Sequence, residues 1–161
     1  GYFQSRGLGA DVYAAVAAVG PTRPLDFYLR VKALDQFFRK RKGAADSLAS
    51  ANKRIANILA KSGAGDIAKF DRKLATEKEE IALAGALAGL RKQVNKEFSS
   101  GSYDKGLKAL AGLRSPVDAF FDRVMVMDEN PAVRSNRLAL LSEIRGLFLR
   151  VGDISRVRVE S

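Results

Sequence analysis

The sequence contains no cysteine. Disulfide staples, zinc ribbons and thiol nucleophiles are therefore excluded, and a reducing compartment is permitted. It contains no histidine either, which removes the commonest metal ligand and the commonest general base near neutral pH. Neither a Ser-His-Asp nor a Cys-His mechanism can be assembled from this chain. Only carboxylates, lysines, tyrosines and serines remain as catalytic groups. Proline is scarce, at four positions, and aromatic residues make up 8%. No stretch approaches the roughly 20 apolar residues that a membrane-spanning helix needs. The apolar run 81–90 holds Gly85 and Gly89 at GxxxG spacing; in so short a segment the pair reads as a site of close helix packing in water. No signal peptide is visible. Tyr2-Phe3-Gln4-Ser5 resembles the scar of a cleavable tag, so residues 1–6 are set aside as tag remnant or native flank, and the chain reads as a piece of a longer protein.

What remains is a helix-forming, basic composition. In 161 residues, 47% are hydrophobic, with Ala and Leu dominant, enough for one domain with its own core. Twenty-eight basic residues face 18 acidic ones, a net charge of +10. A balance of that size attracts phosphate, whether of nucleic acid or of acidic lipid.

Apolar spacing divides the chain into helices. The first is expected over 10–19, stopped by Gly20-Pro21. A second starts at Pro24 on the face Phe27, Val31, Leu34, Phe38 and runs into Arg39-Lys40-Arg41-Lys42, with Gly43 read as its left-handed cap. A third covers 45–61, with Leu48, Ala51, Ile55, Ile58 and Leu59 inward and Ser50, Lys53, Asn57 and Lys61 outward. Residues 62–65 form a break, and 66–74 a loop with a short helical turn. A long helix is expected from Thr76, with Glu79 completing a capping box, to Phe98. A short one follows over 103–113. Ser115-Pro116 should open a deeply buried helix carrying Val117, Phe120, Phe121, Val124 and Met125. Asn130-Pro131 opens the last, running to about Val151, and Ile154 onward shows no clear structure. The expected fold is all-α, a single bundle of roughly six or seven helices, spanning 7–156 with a basic tail at 157–161.

No phosphate-cradling glycine loop and no metal-ligand spacing occurs. Glu77, Glu79 and Glu80 sit where carboxylates favour a helix dipole, not where they form an acid–base pair. Binding is left. Lys53 and Asn57 lie one turn apart on the outward helical face, with Arg54 and Lys61 nearby, a set of cations and an amide suited to phosphates and base edges; a plain solvated face has the same pattern. Lys40 and Arg41 belong to a basic run that also suits a helix end. Arg123, Arg134 and Arg145 are further phosphate candidates, and Tyr28 and Tyr103 are expected to be more exposed than Tyr13. Arg137 lies inside the apolar stripe of the last helix. A buried guanidinium requires a partner, and Asp118 or Asp122 on the preceding helix is the expected one; an inward-facing RNA contact is the alternative. A helical protein–protein scaffold and a basic membrane-surface domain stay open as other readings.

From Ser115 the sequence is no longer generic. Ser115-Pro116-Val117-Asp118-Ala119-Phe120-Phe121-Asp122-Arg123-Val124-Met125-Val126-Met127 closely resembles the signature of bacterial glycyl-tRNA synthetase β subunits. Asn136-Arg137-Leu138-Ala139-Leu140-Leu141 and Leu147-Phe148-Leu149-Arg150-Val151-Gly152-Asp153 resemble that family's closing helix, and Ser50 to Leu59 an earlier one. The resemblance implies a DALR-type helical anticodon-binding domain, similar to that of arginyl-tRNA synthetase, at the end of the β chain. It implies a partner tRNA(Gly) anticodon arm, and a cytoplasmic α2β2 tetramer in which the α subunit carries the aminoacylation centre. This fragment would then hold no cofactor, ATP and Mg²⁺ belonging to the α subunit, and would have no catalysis or membrane contact of its own.

Overall fold

Two of the prolines mark helix starts. Pro24 and Pro131 each occupy the first turn of a helix, where a fixed φ and a missing N–H cost nothing. Asn130 caps the second of these, its side-chain oxygen accepting from the N–H groups of Ala132 and Val133. A computed structural model describes residues 8–63, 65 and 67–159; the tag-like residues 1–6 lie outside these. The helices are α1 Leu8–Ala18, α2 Pro24–Lys40, α3 Lys42–Lys61, α4 Lys78–Ser99, α5 Tyr103–Leu110, α6 Arg114–Arg123 and α7 Pro131–Leu149. Short 3₁₀ turns cover Arg72–Leu74, Ala111–Leu113 and Ile154–Arg156. No strand occurs among the described residues.

The bundle is all-α, as expected. α4 packs on α5, α6 and α7; α2 on α1 and α5; α3 on α6, α7 and the last 3₁₀ turn. Leu48, Ile55, Leu87, Phe120, Leu140 and Phe148 meet in its centre with at most 1% exposure.

Several local expectations change. α2 and α3 are separated by Arg41 alone. Gly43 is therefore no left-handed cap; it lies in the first turn of α3, where an added Cβ would come within 2.7 Å of Arg114. The capping box of α4 sits one residue later than Thr76/Glu79: Glu77 is the N-cap and Glu80 reaches back to its N–H at 3.3 Å. Gly85 and Gly89 face solvent with nothing within 4 Å of an added Cβ, because Leu83, Leu87 and Val94 carry the packing on the other face. Close approach to α4 is instead permitted by Gly106 of α5, whose Cβ would stand 2.2 Å from the Phe98 ring. Ser115 caps nothing, since the chain runs from α5 through a 3₁₀ turn directly into α6. α6 itself is less buried than expected, with Phe121 half-buried, and Met125, expected within that helix, lies beyond its end and is 70% exposed.

The segment after α7 is not a tail. Ile154 and Val157 are buried, the Asp153 N–H donates to the Ala15 carbonyl at 2.8 Å, and the Arg158 N–H donates to Asp11 at 2.9 Å. The end of the chain thus closes over α1 and α3, and the domain extends past 156. Residues 160–161 lie outside the described ones.

Candidate nucleic-acid interface

Arg137 is buried, at 3% side-chain exposure, and its partner is neither Asp118 nor Asp122. It pairs with Glu80, fully buried in the first turn of α4, at 3.3 Å. The same guanidinium donates to the Met125 carbonyl at 2.6 Å and to the Thr76 hydroxyl at 3.0 Å, and lies 3.5 Å from Asp128. Asp118 is instead half-exposed on α6, accepting from the Ser47 hydroxyl at 2.8 Å, and Asp122 is exposed. Helical periodicity places Arg137 inward but has no means of choosing a carboxylate 57 residues away. Arg137 is therefore a structural clamp joining α4, α7 and the α6–α7 loop, and it does not reach an RNA at the surface.

The outward face of α3 is as expected. Lys53, Arg54, Asn57 and Lys61 are all exposed. None of the three cations has a carboxylate within ion-pair range among the described residues. With roughly 1.5 Å rise per residue, the strip from Lys53 to Lys61 extends about 12 Å. Arg54 sits over the Phe121 ring of α6, its guanidinium carbon 4.3 Å from the ring centroid. The sequence marks Arg54 only as a nearby charge; the Phe121 contact, made between two helices, holds its planar guanidinium against a ring. Such a plane can carry a nucleobase on its outer side. Asn57, one helical turn on, offers both a donor and an acceptor.

The other candidates divide. Arg123 is exposed at the end of α6 with no carboxylate in range among the described residues. Arg134 is half-buried and donates to the Asp128 carbonyl at 3.1 Å, so it is committed to the loop. Arg145 is a bidentate partner of Asp153, at 3.0 and 3.2 Å, and is not available to a phosphate. Burial alone pushes the Asp153 carboxyl up, but hydrogen bonds from Arg145 and Ser155 outweigh it and hold the group below its usual range. Lys40 and Arg41 are exposed, yet Arg41 lies about 18 Å along the helix axis from Lys53. They line a separate open pocket with Gln36, Phe37, Asp104 and Lys108. The basic residues therefore form two clusters, not one.

The tyrosines reverse their expected order: Tyr13 is more exposed than either Tyr28 or Tyr103. Tyr103 is 5% exposed; its hydroxyl donates to Asp26, and Arg30 covers its ring at 4.8 Å. Burial and that hydrogen bond raise the Tyr103 phenol above its usual value. Tyr13 and Tyr28 are the exposed ones, at 59% and 52%, on α1 and α2 and away from the α3 strip. Among the described residues no helix is long and apolar enough to cross a membrane.

Comparison with known proteins places this surface in context. Residues 48–151 match the DALR anticodon binding domain. The glycine–tRNA ligase β subunit of Haemophilus influenzae is 48% identical over 154 residues, which is 96% of this chain and 22% of that protein. Those of Pseudoalteromonas translucida and Marinobacter nauticus are 46% and 48% identical, again over 96% of the chain and 22% of each protein. The chain thus spans about a fifth of the length of the curated relatives it matches. The matched segment contains the Lys53–Lys61 strip, Phe121, Arg123 and Arg137, and leaves out Lys40, Arg41, Tyr13 and Tyr28.

Proposed function

Since the chain belongs to the DALR anticodon-binding domain family, we propose that it grips the anticodon arm of tRNA(Gly) through the outward face of α3 and the adjoining end of α6. The observation that carries this reading is Arg54 held over the Phe121 ring within a strip of exposed cations that lack carboxylate partners among the described residues. Lys53, Lys61 and Arg123 neutralise backbone phosphates and release counterions. The Arg54 plane receives an unstacked base, and Asn57 meets a base edge. Glycine codons begin GG, so cognate anticodons share two cytosines. The O2 and N3 of cytosine accept, and its amino group donates, which suits an amide flanked by Arg and Lys donors.

In the parent protein this domain is the end of a glycine–tRNA ligase β subunit, working in the cytoplasm. It contacts the rest of that subunit and, in an α2β2 assembly, positions tRNA for an α subunit that uses ATP and Mg²⁺. The domain takes no part in the chemical step, and no cofactor acts in it.

The deciding experiment is binding of this protein to the tRNA(Gly) anticodon stem-loop, and to the same hairpin with both cytosines replaced, over a salt series. Preference for the cytosine loop, with affinity falling as salt rises, supports anticodon reading on a phosphate-dependent platform. Equal, salt-sensitive binding of both hairpins would reduce the domain to a source of charge. No binding at low salt would overturn the proposal in favour of a protein-binding scaffold.

A further inference from the structure

The α6–α7 connection shows a pattern that packing alone does not require. Residues 124–127 alternate: Val124 is 7% exposed, Met125 70%, Val126 8% and Met127 48%. The backbone leaves α6 in an extended conformation at Val124 and bends at 126 and 127, and the burial alternates along it. Two valines anchor the segment in the core while two methionines stand in solvent. The segment is held firmly. Buried Arg137 donates to the Met125 carbonyl at 2.6 Å. Arg134 donates to the Asp128 carbonyl, and the Asp128 side chain accepts from the Asn130 N–H. The Arg137 hydrogen bond holds the Met125 backbone in place.

These are the only two methionines in the chain. Met125 lies four residues beyond Phe121, which carries Arg54, and two beyond the exposed Arg123. We infer that Met125 and Met127 are an apolar rest on which unstacked anticodon-loop bases pack, extending the Arg54 plane into a continuous base-binding ledge. This rests on the anticodon-binding reading above. A thioether is flexible and polarisable and makes favourable contacts with aromatic rings, and apolar side chains that wedge against bases are a recurrent device. A protein partner fits less well. Two side chains bounded by Asp122, Arg123, Asp128 and Glu129 supply only a small part of the roughly 800 Å² per partner of a stable protein interface, but they are enough to seat one or two bases.

The test uses the protein with its methionine methyl groups labelled with carbon-13, which gives one signal for each of the two residues, assigned with M125L and M127L. The parent protein is titrated with the tRNA(Gly) anticodon stem-loop, and with the same stem closed by a short loop lacking the anticodon. Both methyl signals should move upfield with the anticodon hairpin, under the ring current of a packed base, and stay in place with the control. The double variant M125A/M127A should bind the hairpin at least roughly 5-fold more weakly. Its salt dependence should be unchanged, because no charge is removed, and so should its melting temperature, because the side chains are exposed. Methyl signals that stay still at saturating hairpin, or that move equally with the control stem, would overturn the inference. So would undiminished affinity in M125A/M127A; in those cases the hairpin still binds and the anticodon reading stands. If the parent protein fails to bind the hairpin at low salt, both fall together.

Discussion

The Arg137 guanidinium and the Glu80 carboxylate meet at 3.3 Å where their side chains are 3% and 0% exposed. Glu80 Oε1 also accepts from the N–H groups of Thr76 and Glu77, so one buried oxygen caps α4 and neutralises α7. Removing one member of such a pair leaves an uncompensated buried charge, which costs about 3–5 kcal/mol. R137A should therefore be destabilised by about that amount in urea denaturation. D118N and D122N, on exposed carboxylates, should stay within about 0.5 kcal/mol of the parent. Equal effects at Arg137 and Asp118 would show that the Glu80 pairing is not what holds this region.

The glycines give a second contrast. Gly106 is pressed against the buried Phe98 ring, where a Cβ would lie 2.2 Å from ring carbon. G106A should cost roughly 1–3 kcal/mol through overpacking. Gly89 sits inside α4 on the solvent side with open space around it. G89A should stabilise by up to about 1 kcal/mol, the helix-propensity difference between the two residues. Thermal melting of the two variants checks both signs, and destabilisation by G89A would mean that this face is packed after all.

Much of the fold is legible in the sequence because helical periodicity is a local signal. The inward faces of α2, α3 and α7 follow directly from Phe27 to Phe38, Leu48 to Ile55 and Leu140 to Phe148. What is illegible depends on contacts between distant segments. The choice of Glu80 over Asp118 for Arg137 spans 57 residues. The burial of Ile154 depends on α1 and α3 being beneath the last 3₁₀ turn. The exposure of Met125 depends on where α6 stops, and periodicity fixes helix ends poorly. For the candidate site, exposure of Lys53, Arg54, Asn57 and Lys61 is readable from their helical face, whereas the Phe121 contact of Arg54 is not.

Two carboxyls contribute to the acid limb of stability. For Asp26, burial alone raises the pKa, but the hydrogen bond from Tyr103 and the Arg30 pair outweigh it; Asp153 behaves likewise with Arg145 and Ser155. Both groups are therefore held below their unfolded values. Such groups contribute stability that is present above the unfolded pKa of about 4 and disappears as pH falls through the folded value. Melting temperature should hold near neutrality and drop below about pH 4. D153N should start lower at pH 7 and decline less on acidification. The Tyr103 phenol is shifted up, so its contribution is full below its unfolded value of about 10 and disappears above it. Y103F should lack that alkaline component, and an unchanged alkaline limb in Y103F would assign it elsewhere.

The stacked guanidinium separates charge from shape at the RNA surface. R54K keeps the charge but replaces a plane on Phe121 with a compact ammonium. If Arg54 serves as a base platform, R54K should weaken hairpin binding roughly 5-fold or more while leaving the slope of log K against log salt unchanged. K53A/K61A should do the reverse, lowering the slope by roughly 0.7 for each single-strand phosphate that the variant no longer neutralises, and weakening all hairpins alike. F121L tests the support itself. It keeps an apolar side chain at a half-buried position but removes the ring 4.3 Å beneath the guanidinium, so it should reproduce part of the R54K effect with Arg54 in place. Fluorescence anisotropy over a salt series resolves the three variants. If R54K matches the parent in affinity and F121L does too, Arg54 contributes charge alone, and base contact must be sought at Asn57 and the methionine ledge.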